Sequence, residues 1–191
     1  MKNVYIVHGW GGSPDEPMLQ WFKSSLERKG FNVSIPAMPD TEAPEINVWV
    51  NKIRNTVILK EDIILIGHSI GCQAILRYLA TIDGDIKIAG IVLIAPWMKL
   101  DEQTLKEEGE EIIKIAEPWM NNPINFNKVK SHINKSVAIF SDDDPYISLE
   151  QKDIFEDKLG AEIIIEHKKG HFDPDSNVRE LPSVLNVILS L

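Results

Sequence analysis

Short runs of β-branched and other apolar residues recur along the chain, each followed by a longer stretch with apolar residues at three- and four-residue spacing. The runs are Val4–Val7, Phe31–Ile35, Ile63–Ile66, Ile88–Ile94, Ser136–Phe140 and Ala161–Ile165. Most hold almost no polar residue, and a strand that does not alternate polar with apolar must be covered on both faces. The intervening stretches Pro17–Arg28, Pro44–Leu59, Ile70–Ile82, Leu149–Leu159 and Val178–Leu191 read as helices. Strand followed by helix along the whole chain predicts an α/β fold, a three-layer sandwich with about six mainly parallel strands.

One segment breaks the rhythm. Residues 97–135 separate two strands by far more than a crossover helix needs, and contain "LDEQTLKEEGEEIIKIAE" followed by "PWMNNPINFNKVK". In an open parallel sheet an insertion of this kind usually sits over the carboxyl ends of the strands, where ligands bind. The expectation is therefore one domain, 1–191, with 97–135 as a candidate cap.

Composition narrows the partners. The formal charge is −9 and no basic tract occurs, which argues against nucleic acid or an anionic membrane surface. Cys72 is the only cysteine, so no internal disulfide can form. The N-terminal apolar run is too short for a signal peptide, and no stretch approaches the roughly 20 apolar residues of a membrane span. A soluble, cytoplasmic protein is expected.

Residues 65–72 read "LIGHSIGC" and place the pattern G-x-S-x-G between an apolar strand and a helix. The pattern is short, and its surroundings give it weight. A serine projected from a strand-to-helix turn needs small residues two before and two after it, and Gly67 and Gly71 stand there. The helix N-terminus then offers backbone N–H groups to developing negative charge, the first from Ile70. The loop after the first strand, "HGWGGSPDE", supplies a second: Trp10 N–H is the candidate and Gly11 the next choice.

A serine hydroxyl needs a base, and a base needs an orienting acid. "FSDDDPYIS" ends the fifth strand, and Asp144, directly before Pro145, is the candidate acid with Asp143 as fallback. "EHKKGHFDPD" follows the sixth strand, where His171 beside Gly170 is the candidate base and His167 reads as a surface or packing residue. The two histidines lack a cysteine partner, so neither zinc nor any cofactor is expected. Cys72, one turn into the helix, reads as core. Trp10, Trp97 and Trp119 are candidates to line a substrate pocket, the last with Met98 and Met120.

The order Ser69, Asp144, His171, each after a different strand, resembles the α/β-hydrolase superfamily. More narrowly, "VYIVHGWGGSPDEPMLQWFKSSLERKGFNVSIPAMPD", "GHSIGCQAILRYLA", "PINFNKVKSH", "SDDDPYIS" and "KKGHF" resemble the small serine hydrolases grouped with retinoblastoma-binding protein nine and the bacterial YdeN proteins. The resemblance implies a compact hydrolase whose nucleophile, acid and base fall on Ser69, Asp144 and His171. Because the family's base follows its acid, His8 reads as a supporting residue. The resemblance carries no substrate identity; the activity expected of these residues is cofactor-independent cleavage of a carboxylic ester, thioester or related acyl bond of a small molecule through an acyl-enzyme. Amide or peptide hydrolysis with the same triad, and a protein-binding scaffold with vestigial catalysis, are the alternatives.

Overall fold

A computed structural model describes residues 2–191. Its strands are β1 (Asn3–Val7), β2 (Asn32–Ser34), β3 (Ile64–His68), β4 (Ile88–Ile94), β5 (Ile133–Ser141) and β6 (Glu162–Glu166). They form one sheet in the order β2-β1-β3-β4-β5-β6, and every neighbouring pair is parallel. The helices are α1 (Pro17–Glu27), α2 (Ile46–Thr56), α3 (Ile70–Leu79), α4 (Glu102–Glu108), α5 (Glu110–Asn121), α6 (Phe126–Ser131), α7 (Lys152–Leu159) and α8 (Pro182–Ser190).

The strand order fixes both the layers and the site. The chain steps one way from β1 to β2, then back past β1 to β3 and onward to β6. Right-handed crossovers therefore put α1 on one face and α2, α3, α6 and α7 on the other. The packing agrees: α1 touches α8, α2 touches α3, and α6 touches both α3 and α7. The reversal point lies between β1 and β3, where loops leave in opposite directions and open a crevice. Register pairs Val7 with Gly67 and His68 with Ile94, so the carboxyl ends of β1, β3 and β4 finish level at that crevice.

The core follows from the apolar strands. Every residue of β3 is buried, and α3 is buried along its whole length beneath α2 and α6. The edge strand β6 is only half covered.

Several element ends differ from the sequence expectation. Helix α2 is shorter than 44–59, because the chain is already extended at Val57. Helix α8 starts at Pro182 instead of Val178: proline at the first helical position disfavours helix in the residue before it, and Leu181 is non-helical. The stretch 149–159 opens with a 3-10 turn before α7. Strand β3 runs two residues into the G-x-S-x-G motif, and β5 begins three residues before Ser136. In the long insertion, Gly109 at φ 101° divides the charged stretch into α4 and α5. No helix among the described residues is long and apolar enough to cross a membrane.

Candidate active site

Ser69 sits between β3 and α3 with φ 52° and ψ −123°, a backbone conformation that costs a non-glycine residue free energy. The flanking glycines make the turn sterically feasible. A Cβ on Gly67 would lie 2.7 Å from the backbone of Cys72, and one on Gly71 would lie 2.5 Å from the carbonyl oxygen of Val7. Ser69 N–H donates to the carbonyl of Ile94 at 2.9 Å, tying the turn to the end of β4.

Ser69 Oγ lies 2.9 Å from His171 Nε2, and His171 Nδ1 lies 2.8 Å from Asp144 Oδ2. The carboxylate can only accept from Nδ1–H, which leaves Nε2 to accept the serine proton. The Asp144 side chain is 2% exposed. Its other oxygen accepts the N–H groups of Tyr146 and Ile147 at 2.9 and 3.1 Å. Pro145 turns the chain back so that these two N–H groups meet the carboxylate.

The other two aspartates do different work. Asp143 Oδ1 accepts from Ser141 Oγ at 2.7 Å and from Gly170 N–H at 2.8 Å, bonds that hold its carboxyl below the usual range. Asp142 grips His167 at 2.6 Å and the N–H of Lys168 at 2.9 Å. That pairing raises the pKa of His167, whose side chain is largely exposed. Asp143 is therefore not the partner of His171, and His167 pairs with Asp142, outside the hydrogen-bond chain of Ser69, His171 and Asp144.

His171 is also held through its backbone. Its N–H donates to Ser176 Oγ at 3.1 Å, and its carbonyl accepts from the Nε2–H of His68 at 2.8 Å. Burial, and then the nearby His171, lower the pKa of His68 to about 4, so its ring is neutral at pH 7. Phe172, fully buried, anchors the loop behind the ring. His8 is buried with both nitrogens engaged, by the Gly9 carbonyl and by Met38 N–H, and it packs edge-on against Trp49. It supports the first loop and does not reach Ser69.

Of the two candidate donors in that loop, Gly11 is excluded because its N–H is committed to the Thr41 carbonyl at 2.8 Å. The N–H groups of Ile70 and Trp10 have no acceptor among the described residues.

A cleft of about 530 Å³ opens above Ser69. Trp10 and Trp97 line it, as expected. Trp119 does not: it is fully buried, donates its indole N–H to the Pro44 carbonyl at 2.8 Å, and packs edge-on against Trp49. Its apolar surface serves the junction of α5 with the rest of the fold. The far wall is instead Leu100, Thr104, Leu105 and Ile112, from the start of the insertion and from α4 and α5. An apolar spacing in "TLKEEGEEII" was the only sequence sign of them. Cys72 is core, its thiol pushed well up in pKa by burial.

A parallel sheet in this order, with a serine on a strained turn after the third strand at the crevice, defines an α/β hydrolase. The chain belongs to the serine hydrolase family, whose model matches residues 4–190. It is 26% identical over 193 residues to the Bacillus subtilis protein YdeN, covering 99% of this chain and 95% of that one. It is 25% identical over 185 residues to serine hydrolase RBBP9 of Rattus norvegicus, covering 96% and 88%. The crystal structure of the B. subtilis ydeN gene product superposes with a TM-score of 0.87 at 25% identity, covering 100% of this chain and 98% of that one. A structure from a study of carboxylesterases of Nitrososphaera gargenis shares the fold, with a TM-score of 0.72 at 15% identity over 99% of this chain and 89% of the other.

Proposed function

We propose that Ser69, His171 and Asp144 act as a catalytic triad that hydrolyses a small carboxylic ester or related acyl compound. The observation that carries the reading is the relay Ser69 Oγ to His171 Nε2 at 2.9 Å and His171 Nδ1 to Asp144 Oδ2 at 2.8 Å, set on a strained turn at the crevice. In the first step Ser69 Oγ attacks the carbonyl carbon while its proton passes to His171 Nε2. The N–H groups of Ile70 and Trp10 receive the carbonyl oxygen as it becomes negative. Asp144 holds the imidazole tautomer and stabilises its positive charge. His171 then protonates the leaving group, and a water activated by the same ring clears the acyl-enzyme.

The cleft's charge narrows the substrate. Glu16, Asp101, Glu108, Asp173 and Asp175 line it, and among the described residues no lysine or arginine does. A low-dielectric cleft of one sign repels ligands of that sign, so neutral or cationic acyl donors are favoured and polyanionic thioesters are not. At low salt, kcat/KM for a neutral acyl ester should exceed that for a chain-matched anionic one by about tenfold or more, a gap that narrows as salt is added. A preference for the anionic ester would remove this part of the reading.

A fluorophosphonate probe tests the mechanism. Native protein should be labelled and Ser69→Ala should not. Labelling that persists in Ser69→Ala, or native protein that never reacts, would sink it.

A further inference from the structure

The indoles of the core and of the cleft separate into two kinds. Trp10, Trp49 and Trp119 each donate Nε1–H to a backbone carbonyl, at 3.1, 2.8 and 2.8 Å. Such bonds satisfy a polar atom and fix the ring. Trp97 differs. It is 1% exposed, and among the described residues the acceptor of its Nε1–H is Ser69 Oγ, at 3.4 Å.

The indole is built into that position. The chain leaves β4 through Ala95, which holds φ 48°, a conformation unfavourable for a residue with a Cβ. The residues after Trp97 are then clamped from outside the insertion. The buried Gln151 accepts the N–H groups of Met98 and Lys99 at 2.7 and 2.9 Å and donates to the Lys99 carbonyl. A strained turn on one side and a three-bond clamp on the other leave the ring little freedom to turn from Ser69.

Resting on the triad reading above, we propose that the Trp97 indole N–H is a third catalytic donor, aimed at Ser69 Oγ itself and not at the carbonyl oxygen. The resting length is informative. At 3.4 Å the bond to a neutral hydroxyl is long, whereas an N–H to an anionic oxygen closes to roughly 2.7–2.9 Å. The interaction is thus weak in the ground state and strengthens as charge builds, which is what accelerates a step. Charge builds on Oγ twice. It does so when Oγ loses its proton to His171 and bonds to the carbonyl carbon. It does so again when the hydrolytic water has added, the C–Oγ bond breaks, and Oγ takes a proton back from His171. Trp97 keeps its own proton throughout.

The test replaces one atom group. Site-specific substitution of Trp97 by 3-benzothienylalanine keeps the bicyclic ring and its packing and removes the N–H. Both kcat on a p-nitrophenyl ester and the rate of fluorophosphonate labelling should fall by about tenfold, with KM within twofold and Tm unchanged. Trp97→Phe, which also lacks the donor, should lower both rates at least as much. In the native protein the Trp97 Nε1–H proton resonance, assigned by its loss in Trp97→Phe, should shift in Ser69→Ala. Labelling and kcat within twofold of native in the benzothienyl protein would overturn the role of Trp97 while leaving the triad intact. Labelling that survives Ser69→Ala would instead overturn the triad reading beneath it.

Discussion

Three adjacent aspartates hold three successive points of one loop. Asp142 grips His167 and Lys168, Asp143 grips Gly170, and Asp144 grips the His171 ring. Only the last touches the group that would move a proton, so equal loss of charge should have unequal effects. Asp144→Asn should lower kcat by about 10³ to 10⁴, because an amide can present its N–H to Nδ1 and favour the wrong imidazole tautomer. Asp143→Asn should cost roughly tenfold, since it loosens the loop and leaves the ring's partner in place. Steady-state kcat on one acyl ester decides: if Asp143→Asn is the more damaging, Asp144 is not the acid. At this scale the sequence was legible where chemistry demands a residue type in a local context, such as Ser69 between two glycines. It was ambiguous where the backbone decides. Trp10 and Gly11 differ as donors only because Thr41, thirty residues away, takes the Gly11 N–H. Trp119 reads in sequence as a pocket wall, and its burial, its packing on Trp49 and its bond to Pro44 show it as core.

Helix α3 carries Ser69 at its start and Arg77 in its last turn, and the two ends answer to different parts of the chain. Arg77 is buried and donates to the carbonyls of Trp119 and Asn122 at 2.9 and 2.8 Å, where α5 ends. Its guanidinium lies 5.7 Å from the centre of the Trp119 ring. Free carbonyls at a helix C-terminus attract a cation, so this contact both caps α5 and fastens the insertion to α3. Arg77→Met should therefore cost about 2–4 kcal/mol, read as a lower urea midpoint with unchanged slope. A variant as stable as the native protein would show that packing alone holds α5. The central strands were legible because burial on both faces leaves an apolar run no surface helix shares. The insertion was not, because its helices are short and each is fixed by a distant partner. Gly109 ends α4, Arg77 ends α5 and Gln151 clamps the segment before them, and no local periodicity encodes those contacts.

Across the whole molecule, the sheet brings a neutral histidine to the centre of a protein with formal charge −9. His68 ends β3, buried, with Nε2–H bonded to the loop that carries His171 and Nδ1 without a partner among the described residues. Burial lowers its pKa from 6.5 to about 4, the nearby His171 adding to the effect. Between those values the unfolded chain takes up a proton at this position and the folded chain does not. Stability from His68 is therefore fully present above the unfolded pKa and is lost as pH falls from about 6.5 toward 4. The loss by pH 4.5 is on the order of 2–3 kcal/mol. Carboxylates held below their usual range, such as Asp143, lose stability in overlapping acid conditions, so the native profile alone cannot assign the effect. His68→Gln separates the contributions, because glutamine can place an N–H near the Nε2 position and does not titrate. Urea unfolding at pH 7 and pH 4.5 should show the native protein losing about 2–3 kcal/mol more than His68→Gln over that interval. Equal losses in the two proteins would mean that the folded state accommodates a charged His68, and that the acid sensitivity of this fold resides in its carboxylates.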